Sequence, residues 1–147
     1  MPHFTLTCSP SGPVVDAIVT VSEARRQALE LAKQAVPHPV QIRALIDTGA
    51  SNTCIDPIVL AELGLSPTGS AMCNTASSGD TAHQTDMYDI GLIIPSPQRP
   101  FLARPTLPVM AALLFKQQGF HALIGREILA KCVFHYNGAA KLFTLAY

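Results

Sequence analysis

The stretch RALIDTGASNTCI, residues 43–55, places an apolar run directly before a carboxylate, a threonine and a glycine. Residues 44–46 are typical of a buried strand, and Asp47 follows at its end. Gly49 lets the backbone turn sharply and lets another segment of chain come close. Thr48 can hydrogen-bond locally and hold the turn in one conformation. The pattern therefore predicts a rigid loop that presents Asp47 at the end of a core strand.

The chemistry open to Asp47 depends on a second carboxylate. One carboxylate hydrolyses an unactivated amide poorly, whereas two carboxylates about 3 Å apart share a proton. The ionised member can take a proton from a water while the protonated member polarises the scissile carbonyl. The chain holds one Asp-Thr-Gly triplet. A two-fold axis makes every contact self-complementary, so a C2 dimer would supply the second copy.

Length and composition favour one β-rich domain over residues 1–147. The chain is 48% apolar and only 14% charged, and it contains 12 prolines. Many Val, Ile, Leu and Thr residues between proline-rich turns are typical of strands. Because so few charges cover so much apolar surface, we also expect an oligomer.

Several classes of partner are not expected from this sequence. The formal net charge is zero, and no basic patch predicts a nucleic-acid partner. No segment approaches the roughly 20 apolar residues that would predict a membrane span. The N-terminal residues lack the pattern of a secretory signal, so we expect a cytoplasmic protein.

The four cysteines predict neither a metal site nor a cofactor. Cys8, Cys54, Cys73 and Cys132 are far apart in sequence, with no C-x-x-C pair and no histidine at ligand spacing. We therefore expect free, buried thiols that behave as small apolar residues.

Periodicity and turn residues predict the order of the elements. Ser22 is a candidate cap for a helix over 23–35, which residues 37–39 would stop. Asp56 caps a second helix that ends at Gly64. Strands are predicted at 4–8, 14–21, 40–46 and 120–124, and two more within 71–94. Residues 95–108 are predicted to form a loop and an edge strand, and residues 127–131 a short helix. A closing hairpin is predicted over 132–147, around Asn137-Gly138.

Two motifs together resemble the retropepsin-like aspartic proteases, the retroviral protease type. Residues 45–51 resemble the catalytic loop of that family. The second hallmark is two apolar residues, glycine, arginine or asparagine, and an acidic or amide residue that opens a short helix. It is present here as Leu123, Ile124, Gly125, Arg126 and Glu127. The order and spacing of the motifs extend the resemblance over almost the whole chain.

The resemblance implies a mainly all-β fold, a closed acid-protease-type barrel with short helices that is active as a homodimer. Asp47 would be catalytic, and Thr48, Gly49 and Ala50 would form the active-site loop. A flap hairpin within about 71–94 would cover the substrate. The substrate-binding residues would be Ser51, Asn52, Ser77, Ser78, Gly79 and Asp80, and the second motif would support the catalytic loop.

The chain departs from the family pattern at three places. Ser51 replaces an acidic residue that often pairs with the motif arginine, so Glu127 or a backbone carbonyl could be the partner of Arg126. Residues 22–39 look like a helical insertion. The loop over 95–119, between the flap and the second motif, is also long.

Ala50 differs from two-lobed pepsin-like enzymes, which commonly have Ser or Thr at this place. It cannot donate a side-chain hydrogen bond to the carboxylate, which predicts an activity optimum at about pH 5–6.

Two functions remain open from the sequence. The first is an aspartic endopeptidase that cleaves a peptide or protein through an Asp47 dyad. The alternative is a non-proteolytic peptide- or protein-binding module that keeps the fold. The intact triplet favours the enzyme, because a binding module has no need of a costly paired carboxylate.

Overall fold

The computed structural model describes residues 1–74, 81–114 and 118–147. Strands and helices alternate unevenly along the chain, with long strands in the middle and short elements around the two motifs. In chain order they are β1 His3–Thr7, β2 Val14–Val21, α1 Glu23–Leu31, β3 Val40–Ile46, β4 Cys54–Ile55, α2 Pro57–Glu62, β5 Gly69–Cys73, β6 His83–Ile94, β7 Leu102–Ala111, β8 Ala122–Ile124, α3 Arg126–Leu129, β9 Val133–Asn137 and β10 Leu142–Ala146.

The main sheet closes on itself. Its order is β2-β3-β8-β4-β7-β6, and β2 also pairs with β6. β2 pairs with the C-terminal half of β6, whereas β5 pairs with its N-terminal half, where Cys73 lies opposite His83. Closure satisfies backbone groups that an open edge would leave unpaired. The expected closed β barrel with short helices is therefore confirmed.

A second, three-stranded sheet covers one end of the core in the order β1-β10-β9. Phe4, Phe143 and Leu145 point inward from it and are buried. They join the same apolar cluster as the barrel residues Val19, Ile90 and many others. The N-terminal strand and the closing hairpin thus belong to the core rather than to a separate appendage.

The barrel brings the two sequence motifs side by side. β3 and β8 run parallel, with Leu45 opposite Leu123 and Ile46 opposite Ile124. β4 pairs with the other edge of β8. The strand that ends at Asp47 and the strand that ends at Gly125 therefore finish at the same place.

Many local predictions are confirmed, with shifted ends. β2 and β3 have the predicted bounds, and α2 begins after the Asp56 cap, whose side chain accepts from the Ile58 N–H. α1 is capped by Ser22 but is shorter than predicted, because Lys33 turns the chain with φ 55°. None of the α1 residues is buried. Whether residues 22–39 are an insertion remains a prediction.

The predicted loop is present over residues 95–101, but the prediction of an edge strand up to residue 108 is wrong. β7 lies inside the barrel between β4 and β6. Ile90 of β6 pairs with Leu107 of β7, but Leu92 pairs with Arg104. The register therefore shifts at this point, and Pro105 lies in a bulge. A bulge tolerates a proline that a regular ladder would exclude. The β4–β7 ladder includes only Met110 and Ala111 of β7, so Pro108 lies outside that ladder.

Among the described residues, no helix is both long and apolar enough to cross a membrane.

We expect Gly91→Ala to destabilise the barrel by about 1–3 kcal/mol, as overpacking of a closed site does. A Cβ at Gly91 would collide with the Thr20 hydroxyl and lie 3.1 Å from the Val21 carbonyl oxygen. Chemical denaturation measures the change. Gly69→Ala is the matched control, because a Cβ there meets nothing within 4 Å. Equal effects of the two substitutions would contradict the packing argument.

Candidate active site

Asp47 lies at the mouth of the barrel, on a turn that its own side chain helps to form. Its N–H donates to the Ile124 carbonyl at 3.0 Å, which continues the β3–β8 pairing by one residue. The Gly49 N–H donates to Asp47 Oδ1 at 2.8 Å. Asp47 is half-buried, whereas Thr48 and Gly49 are exposed. The carboxylate is thus fixed at one oxygen and presented at the surface.

The second motif holds the far side of this loop. The Arg126 N–H donates to the Ala50 carbonyl at 2.9 Å. The Arg126 guanidinium Nη2 donates to Ser51 Oγ at 2.7 Å. The suggested partners of Arg126, Glu127 or a backbone carbonyl, are therefore wrong for this contact. The hydroxyl at position 51 is therefore the acceptor for this arginine.

Glu127 instead fixes the chain after the loop. Its Oε1 accepts from the Thr53 N–H at 2.7 Å. Thr53 is fully buried, and its Oγ1 accepts from the Gly125 N–H at 3.1 Å. Sequence reasoning missed Thr53. A hydroxyl residue placed just before the apolar strand β4, where the backbone must leave a polar loop, was the signal that could have indicated it.

Gly125 is required by the closeness of this contact. A Cβ at Gly125 would lie 2.5 Å from the carbonyl carbon of Asn52 and 2.8 Å from its oxygen. Both are backbone atoms that cannot rotate away. The glycine of the second motif therefore lets the two motifs approach closely enough for their hydrogen bonds.

A cavity of about 700 Å³ lies between the barrel and the β5–β6 hairpin. Leu123, which pairs with Leu45 of the Asp47 strand, is part of its wall. Apolar side chains dominate the lining, with a few polar groups from β6. The lining residues are Cys54, Pro57, Cys73, His83, Gln84, Thr85, Asp86, Met110, Ala111, Ala112, Leu113, Leu114 and Leu123.

The predicted site residues are only partly covered by the structure. Asp47 bonds to Ile124, and Ala50 and Ser51 bond to Arg126. The Asn52 backbone packs on Gly125. Residues Ser77, Ser78, Gly79 and Asp80 lie outside the described residues. The hairpin predicted within 71–94 is present as β5 and β6. The roles of all these residues remain predictions.

The pKa of the Cys54 thiol reflects its partly buried position in the cavity wall. Burial is the main cause that raises the pKa of its thiol to about 11, and the negative charges of Cys73, Glu127 and Asp47 raise it further. The thiol is therefore neutral at physiological pH. The four cysteines are free but half-buried, not fully buried as the sequence had suggested.

Over residues 1–74, 81–114 and 118–147, no three His, Cys, Asp or Glu side chains lie close enough together to hold a metal ion.

Comparisons with known proteins agree with this geometry. The model of the aspartyl protease family matches residues 34–93, which hold the Asp47 loop. A retropepsin-like aspartic protease from Rickettsia conorii has a similar structure, with a TM-score of 0.60 and 14% identity. That similarity covers 99% of this chain and 91% of the other. The fold of this chain is therefore retropepsin-like.

A second similar structure is the protease of simian foamy virus (mac), at a TM-score of 0.46 and 14% identity. The match covers 80% of this chain and 92% of the viral one. No curated protein matches the sequence. The family match to the Asp47 region, together with the retropepsin-like fold, supports an aspartic protease function in general terms.

We expect Thr53→Val to lower the free energy of unfolding by about 1–3 kcal/mol, because it leaves the buried Gly125 N–H without an acceptor. Valine fills nearly the same volume, so the loss isolates the hydroxyl. Thr53→Ser is the matched control and should retain most of the stability. Denaturant unfolding of both variants measures the difference. A serine variant as unstable as the valine variant would contradict a role for the hydrogen bond.

Proposed function

We propose that this chain is an aspartic endopeptidase whose catalytic dyad consists of Asp47 from two copies of the chain. The observation that carries the proposal is the Asp47 loop itself. The loop is held by the second motif on its inner side, while Thr48 and Gly49 are exposed on its outer side. A surface that is rigid and carries a half-buried carboxylate is suited to meet its own copy across a two-fold axis.

In the proposed dimer, the two Asp47 carboxyl groups share one proton. The ionised carboxylate takes a proton from a bound water, whose oxygen attacks the scissile carbonyl carbon. The protonated carboxyl donates to the carbonyl oxygen, which yields a tetrahedral diol. Proton transfer to the amide nitrogen then allows the carbon–nitrogen bond to break, and the shared proton returns to the dyad.

The substrate would lie extended between the Asp47 loop and the β5–β6 hairpin, which acts as the flap. Backbone pairing as an added strand gives affinity that does not depend on sequence. Ser51 and Asn52 would contact the peptide beside the dyad, and Ser77, Ser78, Gly79 and Asp80 would contact it from the flap. The largely apolar cavity favours an apolar side chain next to the scissile bond.

We expect Asp47→Asn to abolish cleavage of a peptide library, because the amide cannot share or transfer the proton. The exposed Asp16 offers a matched control, and Asp16→Asn should stay active. Each variant is assayed by mass spectrometry of the cleaved peptides. Cleavage that survives in Asp47→Asn would overturn the aspartic mechanism and indicate another catalytic group.

Mixing experiments test the dyad directly. When the wild-type chain is equilibrated with Asp47→Asn chains at constant total concentration, activity should fall with the square of the wild-type fraction. Only dimers of two wild-type chains then hold a complete dyad. A linear fall would show that each wild-type chain acts alone, and sedimentation velocity on the same mixtures shows whether dimers are present.

We expect Ala50→Ser to move the acidic limb of the pH–rate profile to lower pH, because a hydroxyl that donates to the ionised carboxylate stabilises it. The wild-type optimum should lie near about pH 5–6. Profiles of kcat/KM over acid and neutral pH measure both. A wild-type optimum near about pH 3, or a serine variant with an unchanged limb, would contradict this account.

A further inference from the structure

Two of the four cysteines line the same cavity, and they come from different parts of the sheet. Cys54 lies in β4, where it pairs with Leu123 and Met110. Cys73 ends β5, three strands away in the order β4-β7-β6-β5. Both nevertheless line the same cavity of about 700 Å³. The sheet therefore curls around the cavity and turns the two thiols toward one space.

The electrostatics of Cys54 agree with this placement. After burial, the charge of Cys73 is the largest cause that raises the pKa of Cys54, ahead of Glu127 and Asp47. Charge effects of this kind fall off with distance, which agrees with two thiols that line the same cavity. Both residues are also half-buried, so small thiol reagents can reach them.

We propose that Cys54 and Cys73 form a reversible disulfide that ties β5 to β4 and shuts the substrate cavity. The oxidant belongs to the class of low-molecular-weight disulfides, such as oxidised glutathione. The inference rests on the proposed protease function for its consequence, since the bond would occupy the space that a substrate side chain needs. The bond itself depends only on the placement of the two thiols.

The chemistry balances in two exchange steps. The Cys73 thiolate attacks one sulfur of oxidised glutathione, which forms a mixed disulfide and releases one glutathione thiolate. The Cys54 thiolate then attacks the Cys73 sulfur and releases the second. The protein loses two hydrogen atoms, and one oxidised glutathione becomes two reduced ones. Cys54 acts second because its raised pKa leaves little thiolate to react with a disulfide in solution, whereas a mixed disulfide on Cys73 is held within the same cavity.

The disulfide is tested by peptide mapping, which needs no activity. The oxidised protein is alkylated, denatured and cut after Glu62, which separates the two cysteines in sequence. We expect a linked pair of peptides that separates on reduction in the wild type and in Cys8→Ser. Cys54→Ser and Cys73→Ser should give no such pair. Unmodified thiols, a glutathione adduct that persists, or a link between two chains would overturn the proposal.

The closing of the cavity is tested by activity before and after oxidation. We expect oxidised wild type to lose at least about tenfold in kcat/KM, as sites deprived of substrate contacts do, and dithiothreitol to restore it. Each cysteine variant is compared with its own reduced form and should keep its activity under oxidant. A linked protein that stays fully active would overturn the closing step alone. Reduced wild type without any cleavage would instead refute the protease, whatever the map shows.

Discussion

The rest of the site depends on the parallel pairing of β3 with β8. These strands are separated by more than seventy residues of chain, and they meet over only three pairs. The Asp47 N–H adds one further bond to Ile124, so the Asp47 loop begins where the ladder ends. In the proposed dimer, a carboxylate that must meet its copy at about 3 Å tolerates little displacement. The β3–β8 ladder fixes the position of the Asp47 backbone relative to the second motif. Such precision matters for a catalyst, since a shift of about 1 Å can lower the rate a hundredfold.

The features that the sequence predicted are those decided by neighbouring residues. β2, β3 and the capped helix α2 follow from alternation, an N-cap and a proline within a few residues. β7 was misread because its prolines suggest a loop, whereas the bulge opposite Gly91 accommodates them within the barrel. Thr53 and the Ser51–Arg126 contact depend on the register between distant segments, which no local pattern encodes. The parts of the site that hold Asp47 in place were therefore less predictable than Asp47 itself.

The site is stiff on one side and adaptable on the other. Behind Asp47, backbone and side-chain bonds from Arg126, Glu127 and Thr53 fix the loop, and Gly125 lets the segments touch. The cavity side is lined mainly by Leu, Met, Ala and Cys side chains, with His83, Gln84, Thr85 and Asp86 from β6. In the proposed enzyme, the fixed loop keeps the reacting carboxylate in position, while the largely apolar wall can accept side chains of different shape.

Dimer formation and protonation are coupled in the proposed enzyme. Two ionised carboxylates at about 3 Å repel each other strongly, so bringing two Asp47 loops together takes up one proton from solution. A reaction that binds a proton is favoured as pH falls, so acid would both assemble the dimer and charge the dyad with its shared proton. The chain has ten basic and ten acidic side chains, so near neutral pH no net charge opposes the approach of two copies. The carboxylate pair itself is then the main electrostatic barrier to assembly, and the proton that removes this barrier is the one that catalysis uses.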